Sequence, residues 1–247
     1  MQMKIFFITL FFAGNVFAGT DDFGYPFLAK CIGRGVGTSA STIDYINGCL
    51  VTLSNSPSFD GEAYTLNGST QIGCYQNASI GNFQTSDFFT VVNVFKTTNN
   101  ASFKGLSGKY HLTPDQGWFT ALNKVGTNVL FYFQIQTSAT QYLAKTGNQN
   151  LNDGRYHTCI AHYDGNATSN SVMLYVDGLR QVETVDRAGT VTSITSVNPI
   201  VFGSREPKTA SERCSGTFKA NELISGPFSA GDAMRRTVEL NIGVIHP

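Results

Sequence analysis

The segment "YDGNATSNSVMLYVDG", residues 163–178, carries Asp164 and Asp177, each followed by glycine. Two chemistries fit that pattern. Aspartates in neighbouring loops can supply a calcium ion, which takes about six to eight oxygens, several of them from converging carboxylates. Asp-Gly is also a turn signal, because glycine accepts positive φ and Asp bonds its own backbone. The other acidic candidates are Asp60, Glu62, Asp87, Asp115 and Asp153, most of them beside glycine or at the ends of apolar runs. Turn duty explains such positions, so turns are the expected role; Ca²⁺ is the metal these residues would take if they converged.

Other reactive types are placed less suggestively. His157 and His162 are five apart and would point to opposite faces of a strand, and His111 and His246 have no partner at ligand spacing. Glycan hydrolases with paired carboxylates need them on one face, roughly 5–9 Å apart. The nearest candidates, Glu183 and Asp186 in "VETVD", fall on opposite faces of a strand. No G-x-S-x-G nucleophile elbow and no C-x-x-C pair occurs. Cys159 sits mid-strand without an activating charge, which predicts a buried, reduced thiol. Tyr110, Asp115 and the only tryptophan, Trp118, are the candidate ligand-contacting residues, the two rings as a sugar-stacking platform. Alternation in "GWFTAL" puts Trp118 and Thr120 on one face and Phe119 and Ala121 on the other, which favours Trp118 in a core.

Strands must position these groups, because helical periodicity is nearly absent. "FFTVVNVFK" (88–96), "NVLFYFQIQ" (128–136), "YHTCIAHY" (156–163), "SVMLYVDG" (171–178), "RQVETVD" (180–186) and "NPIVFG" (198–203) are rich in β-branched and aromatic residues and bounded by Gly, Asn, Asp and Ser. That spacing predicts an all-β sandwich or barrel. Both Asp-Gly turns then punctuate a three-strand meander. One helix is expected in "FSAGDAMRRTVEL", with Ser229 as N-cap and Asp232 three residues on. Ala233, Met234, Val238 and Leu240 would face inward, and Arg235 and Arg236 outward. Residues 19–56 read as irregular, and "IGRGVGTSAS" as a loop rather than a phosphate cradle.

The bulk numbers narrow the function classes. Residues 1–18 read as a signal peptide: Lys4, an apolar run from Ile5 to Ala13, then "VFA" with small residues at the cleavage positions. The run is too short for a span of about 20 residues, so export rather than membrane insertion is expected. The destination would be extracellular, the cell surface or a periplasm. The formal net charge is +0 and only 14% of residues are charged, which removes the basic field a nucleic-acid binder needs. Anionic membranes are disfavoured likewise. N-x-S/T sequons begin at Asn67, Asn77, Asn100 and Asn166, but a chain this rich in Asn, Ser and Thr produces about that many by composition. The five cysteines, at 31, 49, 74, 159 and 214, are an odd number for an exported chain, so one must stay free or pair elsewhere. With Cys159 reduced, a Cys31–Cys49 bridge would close a local loop and stabilise the N-terminal segment by roughly 3 kcal/mol on the chain-entropy account.

"LNDGRYHTCIAHYDG" followed by "VMLYVDGLRQ" resembles a hallmark of the laminin-G-like, concanavalin-A-like jelly-roll superfamily. Further segments fall in that family's order: "SFDGEAYTL" (58–66), "ASIGNFQTSDFFTVVNVFK" (78–96), "GKYHLTPDQGWFTALN" (108–123), "NPIVFGS", and "GTFKANELIS" with the helix after it. Tyr156 and Phe95 stand where the family usually has tryptophan, and "NELI" matches its closing strand only loosely. The resemblance covers about 57–247 and implies an antiparallel jelly-roll β-sandwich with one short C-terminal helix. Because the family's opening and closing strands lie side by side, it also makes a Cys74–Cys214 bridge plausible among the connectivities open to four cysteines. Together with the export signal and the missing carboxylate array, it implies a secreted, non-catalytic module that binds a glycan or an extracellular protein through loops at one end, in some members with Ca²⁺. Two alternatives stay open: a glycan hydrolase or lyase on the same scaffold, and a structural surface or coat component assembled through the odd cysteine or an exposed patch.

Overall fold

The computed structural model describes residues 27–32, 41–43 and 50–242. The expected leader (1–18) lies outside them, as does Cys49 and with it the Cys31–Cys49 bridge. Two antiparallel sheets pack face to face, and one helix follows them. The 8-stranded sheet runs, edge to edge, β14 (Leu179–Arg180), β13 (Val172–Val176), β12 (His157–Tyr163), β7 (Phe89–Lys96), β17 (Ser215–Ser225), β5 (Tyr64–Asn67) and β4 (Ser58–Phe59). Strand β1 (Phe27–Ile32) also pairs with β17. The 9-stranded sheet runs β15 (Thr184–Ala188), β11 (Gln141–Asn150), β10 (Asn128–Ser138), β9 (Asp115–Val125), β8 (Lys104–Leu112), β16 (Val201–Phe202), β6 (Gly73–Tyr75), β3 (Leu50–Leu53) and β2 (Ser41–Ile43). The helix, α1, is Ala230–Ile242.

Period-two alternation sorts the core. On β12, Cys159, Ala161 and Tyr163 enter the main core between the sheets, while Ile160 joins a second apolar cluster with Val92, Val94 and Tyr175 on the outer face. Both faces of β12 and β7 are therefore buried, which is why "FTVVNVF" reads as a nearly continuous apolar run. Between the sheets the rings of Phe83 and Phe89 stack at 4.1 Å, and Trp118, Phe133 and Tyr163 surround them.

The meander forms as β12–β13–β14, with a difference. Only Leu179–Arg180 continue it; the chain then crosses over, and Thr184–Ala188 pair with β11 in the other sheet. Strands also form before residue 57, where the sequence reads as irregular: β1 lies against the closing strand, and β2 and β3 extend the larger sheet beyond β6.

The helix caps as expected. Ser229 Oγ accepts from Asp232 N–H at 3.2 Å, and Asp232 Oδ2 accepts from Ser229 N–H at 2.7 Å. Its inward face differs from the expected one. Ala233 and Leu240 are buried, but Met234 and Val238 are 44% and 48% exposed, while Arg236 is 3% exposed. The reason is Glu222 on β17, fully buried beneath the helix, which turns Arg236 inward as its counter-charge; Arg236 also bonds Glu239.

The Cys74–Cys214 bridge is not formed; both thiols are free, as is Cys159. Pleating explains it. Tyr75 points into the core, so its neighbour Cys74 points out of the sandwich, while Cys214 lies within the core. Burial raises the Cys159 thiol well above its ordinary value and pushes Cys214 up to about 12, which keeps both protonated.

Candidate functional site

The β8–β9 hairpin, residues 111–116 with a cis Thr113–Pro114 bond, projects from one end of the sandwich. Beside it lie the loop before β7 (76–88) and the loop before β16 (189–200). They enclose a cleft of about 460 Å³ lined by Ala78, Asn82, His111, Pro114, Gln116, Thr195, Ser196 and Val197.

Buried groups behind the cleft hold its walls. Lys109 is fully buried and has no carboxylate partner among the described residues; its Nζ donates to Ala78 O at 2.5 Å and to Asn198 O at 2.6 Å, tying the two loops together. Burial lowers its pKa to about 8. Trp118 Nε1 donates to Gly81 O at 3.0 Å. Asn198 Nδ2 donates to Tyr110 O at 2.7 Å, and Ser196 N–H to Asn82 Oδ1 at 3.0 Å. From the hairpin, Gln116 Nε2 donates to Ser193 Oγ at 2.8 Å, and Thr137 Oγ1 anchors Ser193 O at 2.9 Å. Every wall is thus fixed by a neighbour, which is what preorganises a binding site.

The three candidate residues stand behind this cleft rather than in it. Trp118 and Tyr110 are each 1% exposed, so neither ring can stack on a sugar. They do not even share a face: Trp118 is in the core, and Tyr110 packs on the outer face of the larger sheet with Phe119, Ala121, Tyr132 and Ala144. Tyr110 Oη lies 2.8 Å from Asp115 Oδ1 and 2.9 Å from Gln136 Oε1. Burial, with Asp115 adding to it, raises the Tyr110 phenol far above its ordinary value, so it stays a neutral donor. Asp115 therefore orients Tyr110 at the hairpin's base.

Sequence reasoning passed over the lining residues. His111 has no metal partner at ligand spacing, and Asn82, Gln116, Thr195 and Ser196 are polar loop residues like many others here. The one available signal was Lys109: a lysine on the face opposite Tyr110 in a strand otherwise destined for burial has to reach backbone carbonyls or a carboxylate.

The aspartates of the opening segment behave as turn residues. Asp177 has φ 52°; its Oδ1 accepts from Thr158 N–H at 2.9 Å and its Oδ2 lies 2.8 Å from His157 Nδ1. Asp153 Oδ1 lies 3.0 Å from the other nitrogen, Nε2. The hydrogen bond to Asp177, then that to Asp153, raises the His157 pKa against the cost of burial. Asp164 accepts from Asn166, and Asp60 Oδ1 accepts from the N–H groups of Glu62 and Ala63. Among the described residues no three His, Cys, Asp or Glu side chains converge to hold a metal. Asp60, Asp153, Asp164 and Asp177 each accept hydrogen bonds within their own turns or from the neighbouring strand, and Asp115 accepts from Tyr110, so these carboxylates do not converge as a calcium site needs.

No protein-family model matches the chain, and no curated protein sequence does. Solved structures are similar in fold. The Ruminococcus gnavus IT-sialidase CBM40 bound to α2,3-sialyllactose aligns with a TM-score of 0.52 at 13% identity, over 81% of this chain and 100% of that one. The fold is a jelly-roll β-sandwich. The receptor binding domain of botulinum neurotoxin D aligns at 0.59 and 10% identity, over 86% of this chain and 52% of that one. Trypanosoma rangeli sialidase in complex with 2,3-difluorosialic acid aligns at 0.58 and 12% identity, over 87% of this chain and 33% of that one.

Proposed function

We propose that this chain is a secreted, non-catalytic recognition module that binds a glycan in the end cleft. The observation that carries the reading is the cleft's lining. Asn82 and Gln116 offer amides, Thr195 and Ser196 hydroxyls, and His111 an imidazole, beside the apolar surfaces of Pro114 and of Val197, which is 77% exposed. A sugar ring needs that combination: neutral donors and acceptors for its hydroxyls and an apolar patch for its C–H face. The cleft's volume lies in the range of roughly 300–1,000 Å³ common for small-molecule sites. The jelly-roll neighbours include a module bound to sialyllactose and a toxin's receptor binding domain, which supports a recognition role by analogy. Export rests on the apolar leader and "VFA" of residues 1–18. The non-catalytic reading rests on the lining, where no carboxylate stands to act as general acid or nucleophile.

A glycan-array screen with and without EDTA tests the proposal. Binding should be unaffected by the chelator and should weaken roughly tenfold in Gln116→Ala, the effect of losing one hydrogen-bonding side chain. Absence of binding across the array, or turnover of a polysaccharide, would overturn it.

A further inference from the structure

A second cleft, of about 380 Å³, adjoins the first and is lined by Asn82, Phe83, Ser86, Asp87, Phe88, Ser225 and Gly226. Asn82 lines both. Its Oδ1 is taken by Ser196 N–H, which leaves the amide Nδ2 with no partner among the described residues. We propose that the two clefts are consecutive subsites for one neutral oligosaccharide lying across Asn82, with Phe88 as the stacking platform of the second; this rests on the glycan reading of the first.

The second cleft has its own recognition chemistry. Phe88 is 43% exposed although its neighbour Phe89 is fully buried, because alternation sends the two rings to opposite faces. An exposed ring on a fixed backbone offers a flat apolar surface at little entropic cost. The backbone is fixed: Gly226 N–H donates to Phe88 O at 3.0 Å, Tyr163 Oη to Thr85 O at 2.7 Å, and the Phe83 ring stacks on Phe89. Gly165 lies so close to Ser86 that an added Cβ would be 2.5 Å from its carbonyl oxygen, which seats the loop against the β12–β13 connection. Asp87 uses Oδ2 to accept from Gln84 N–H at 2.8 Å and keeps Oδ1 for an outside donor. A carboxylate oxygen beside an aromatic face accepts sugar hydroxyls well and repels a carboxylate. That combination selects a neutral unit over a sialic or uronic acid.

The experiment is calorimetric titration of the intact secreted protein with glucose, galactose, mannose and N-acetylglucosamine, with short neutral homo-oligomers of each, and with sialyllactose. The oligomer of the recognised sugar should bind roughly tenfold tighter than its monomer, the gain expected from an added stacking contact with its hydrogen bonds. Phe88→Ala should abolish that gain, Phe88→Trp should restore it, and Gln116→Ala should weaken monomer and oligomer binding alike. Sialyllactose should not outbind the neutral oligomers. Equal binding of monomer and oligomer, or a gain that survives Phe88→Ala, would overturn the two-subsite proposal while leaving the glycan reading standing. Silence from every sugar would overturn both.

Discussion

The two sheets each turn one face away from the core, and the chain closes those faces by different means. On the smaller sheet α1 lies across Val92, Val94, Ile160, Tyr175 and Ile224, and Arg236 reaches through to Glu222. On the larger sheet no α-helix among the described residues covers that face. The backbone of Ser204–Arg205 crosses β8 at Gly105 and Gly108, and the Arg205 guanidinium lies over Phe103, Tyr110 and Phe119 at 5.6, 5.0 and 5.4 Å, paired with Glu212. Both covers pair an arginine with a carboxylate, buried under the helix and half-buried under the loop. The helical cover keeps its buried ion pairs internal, Arg236 with Glu222 and Glu239. The loop cover leaves Tyr110, Asp115 and Gln136 as a hydrogen-bonded row that runs on into the hairpin of the cleft. The difference teaches that the ring-lined face is continuous with the end that carries the cleft, while the helical face is closed on itself.

The sharpest way to break this comparison is Arg236→Ala. It leaves Glu222, 0% exposed, with its guanidinium partner gone, and uncompensated buried charges cost about 3–5 kcal/mol. Urea unfolding should show that loss while glycan affinity is retained in the folded fraction. A loss below about 1 kcal/mol would mean that the helix is not an essential cover.

Next comes acid. His162 sits on the helical face of β12, its Nδ1 2.9 Å from Thr90 Oγ1 and its ring near Phe228. Burial lowers its pKa to about 4, below an unfolded value near 6.5. The unfolded chain therefore binds the proton first, and stability falls as pH drops from about 6.5 toward 4, by up to roughly 3 kcal/mol. His157, at the other end of the strand, acts oppositely. Its raised pKa gives stability that is present below about 6.5 and lost as pH rises through the folded value. His162→Asn should flatten the acid limb of a stability–pH profile, and His157→Asn the neutral limb; an unchanged profile would reject the assignment.

On the other cover, Gly108→Ala would place a Cβ 2.4 Å from Arg205 O and 2.7 Å from Phe119 Cβ. Overpacking of that kind costs about 1–3 kcal/mol. Here the helical face should be untouched, and the loss should come with weaker glycan binding, since Tyr110 loses its cover. Thermal unfolding with a parallel binding titration separates the two effects, and destabilisation without weaker binding would cut the proposed link between loop cover and cleft.

These contrasts also mark what sequence can carry. The all-β sandwich is legible because alternation and Asp-Gly turns are local signals: Cys159 and Tyr163 inward, Ile160 outward, and Asp177 in the turn all follow from periods and turn chemistry, while the jelly-roll topology follows only from the resemblance of the ordered segments to that superfamily. What failed depended on tertiary partners. Arg236 looked like a solvent residue because Glu222, fourteen positions away, is invisible to a helical wheel. Strand adjacency in the resembled family favours Cys74 with Cys214, but it does not carry which way each pleat points. The cleft was illegible for a third reason: its lining is ordinary loop composition, and only the buried anchors beneath give those residues fixed positions.

The smallest stability effect is expected at Lys109, and it bears most directly on the cleft. Lys109→Met removes two hydrogen bonds, to Ala78 O and Asn198 O, and leaves those carbonyls to find water. It also removes a desolvated ammonium. The two contributions oppose each other, so the net change near neutral pH should stay within about 1 kcal/mol. The pH dependence identifies the group. With a folded pKa of about 8 and an unfolded value near 10.4, the unfolded chain holds more protons between them. Stability should therefore rise in the parent as pH climbs from about 8 to 10, and Lys109→Met should lack that rise. Binding should respond far more than stability: with the 76–88 and 189–200 loops no longer tied, Asn82 and Thr195 lose their fixed spacing, and glycan affinity should fall roughly tenfold or more. A variant that binds as tightly as the parent would show that the cleft is held by its other anchors, and that the buried lysine belongs to the sandwich rather than to the site.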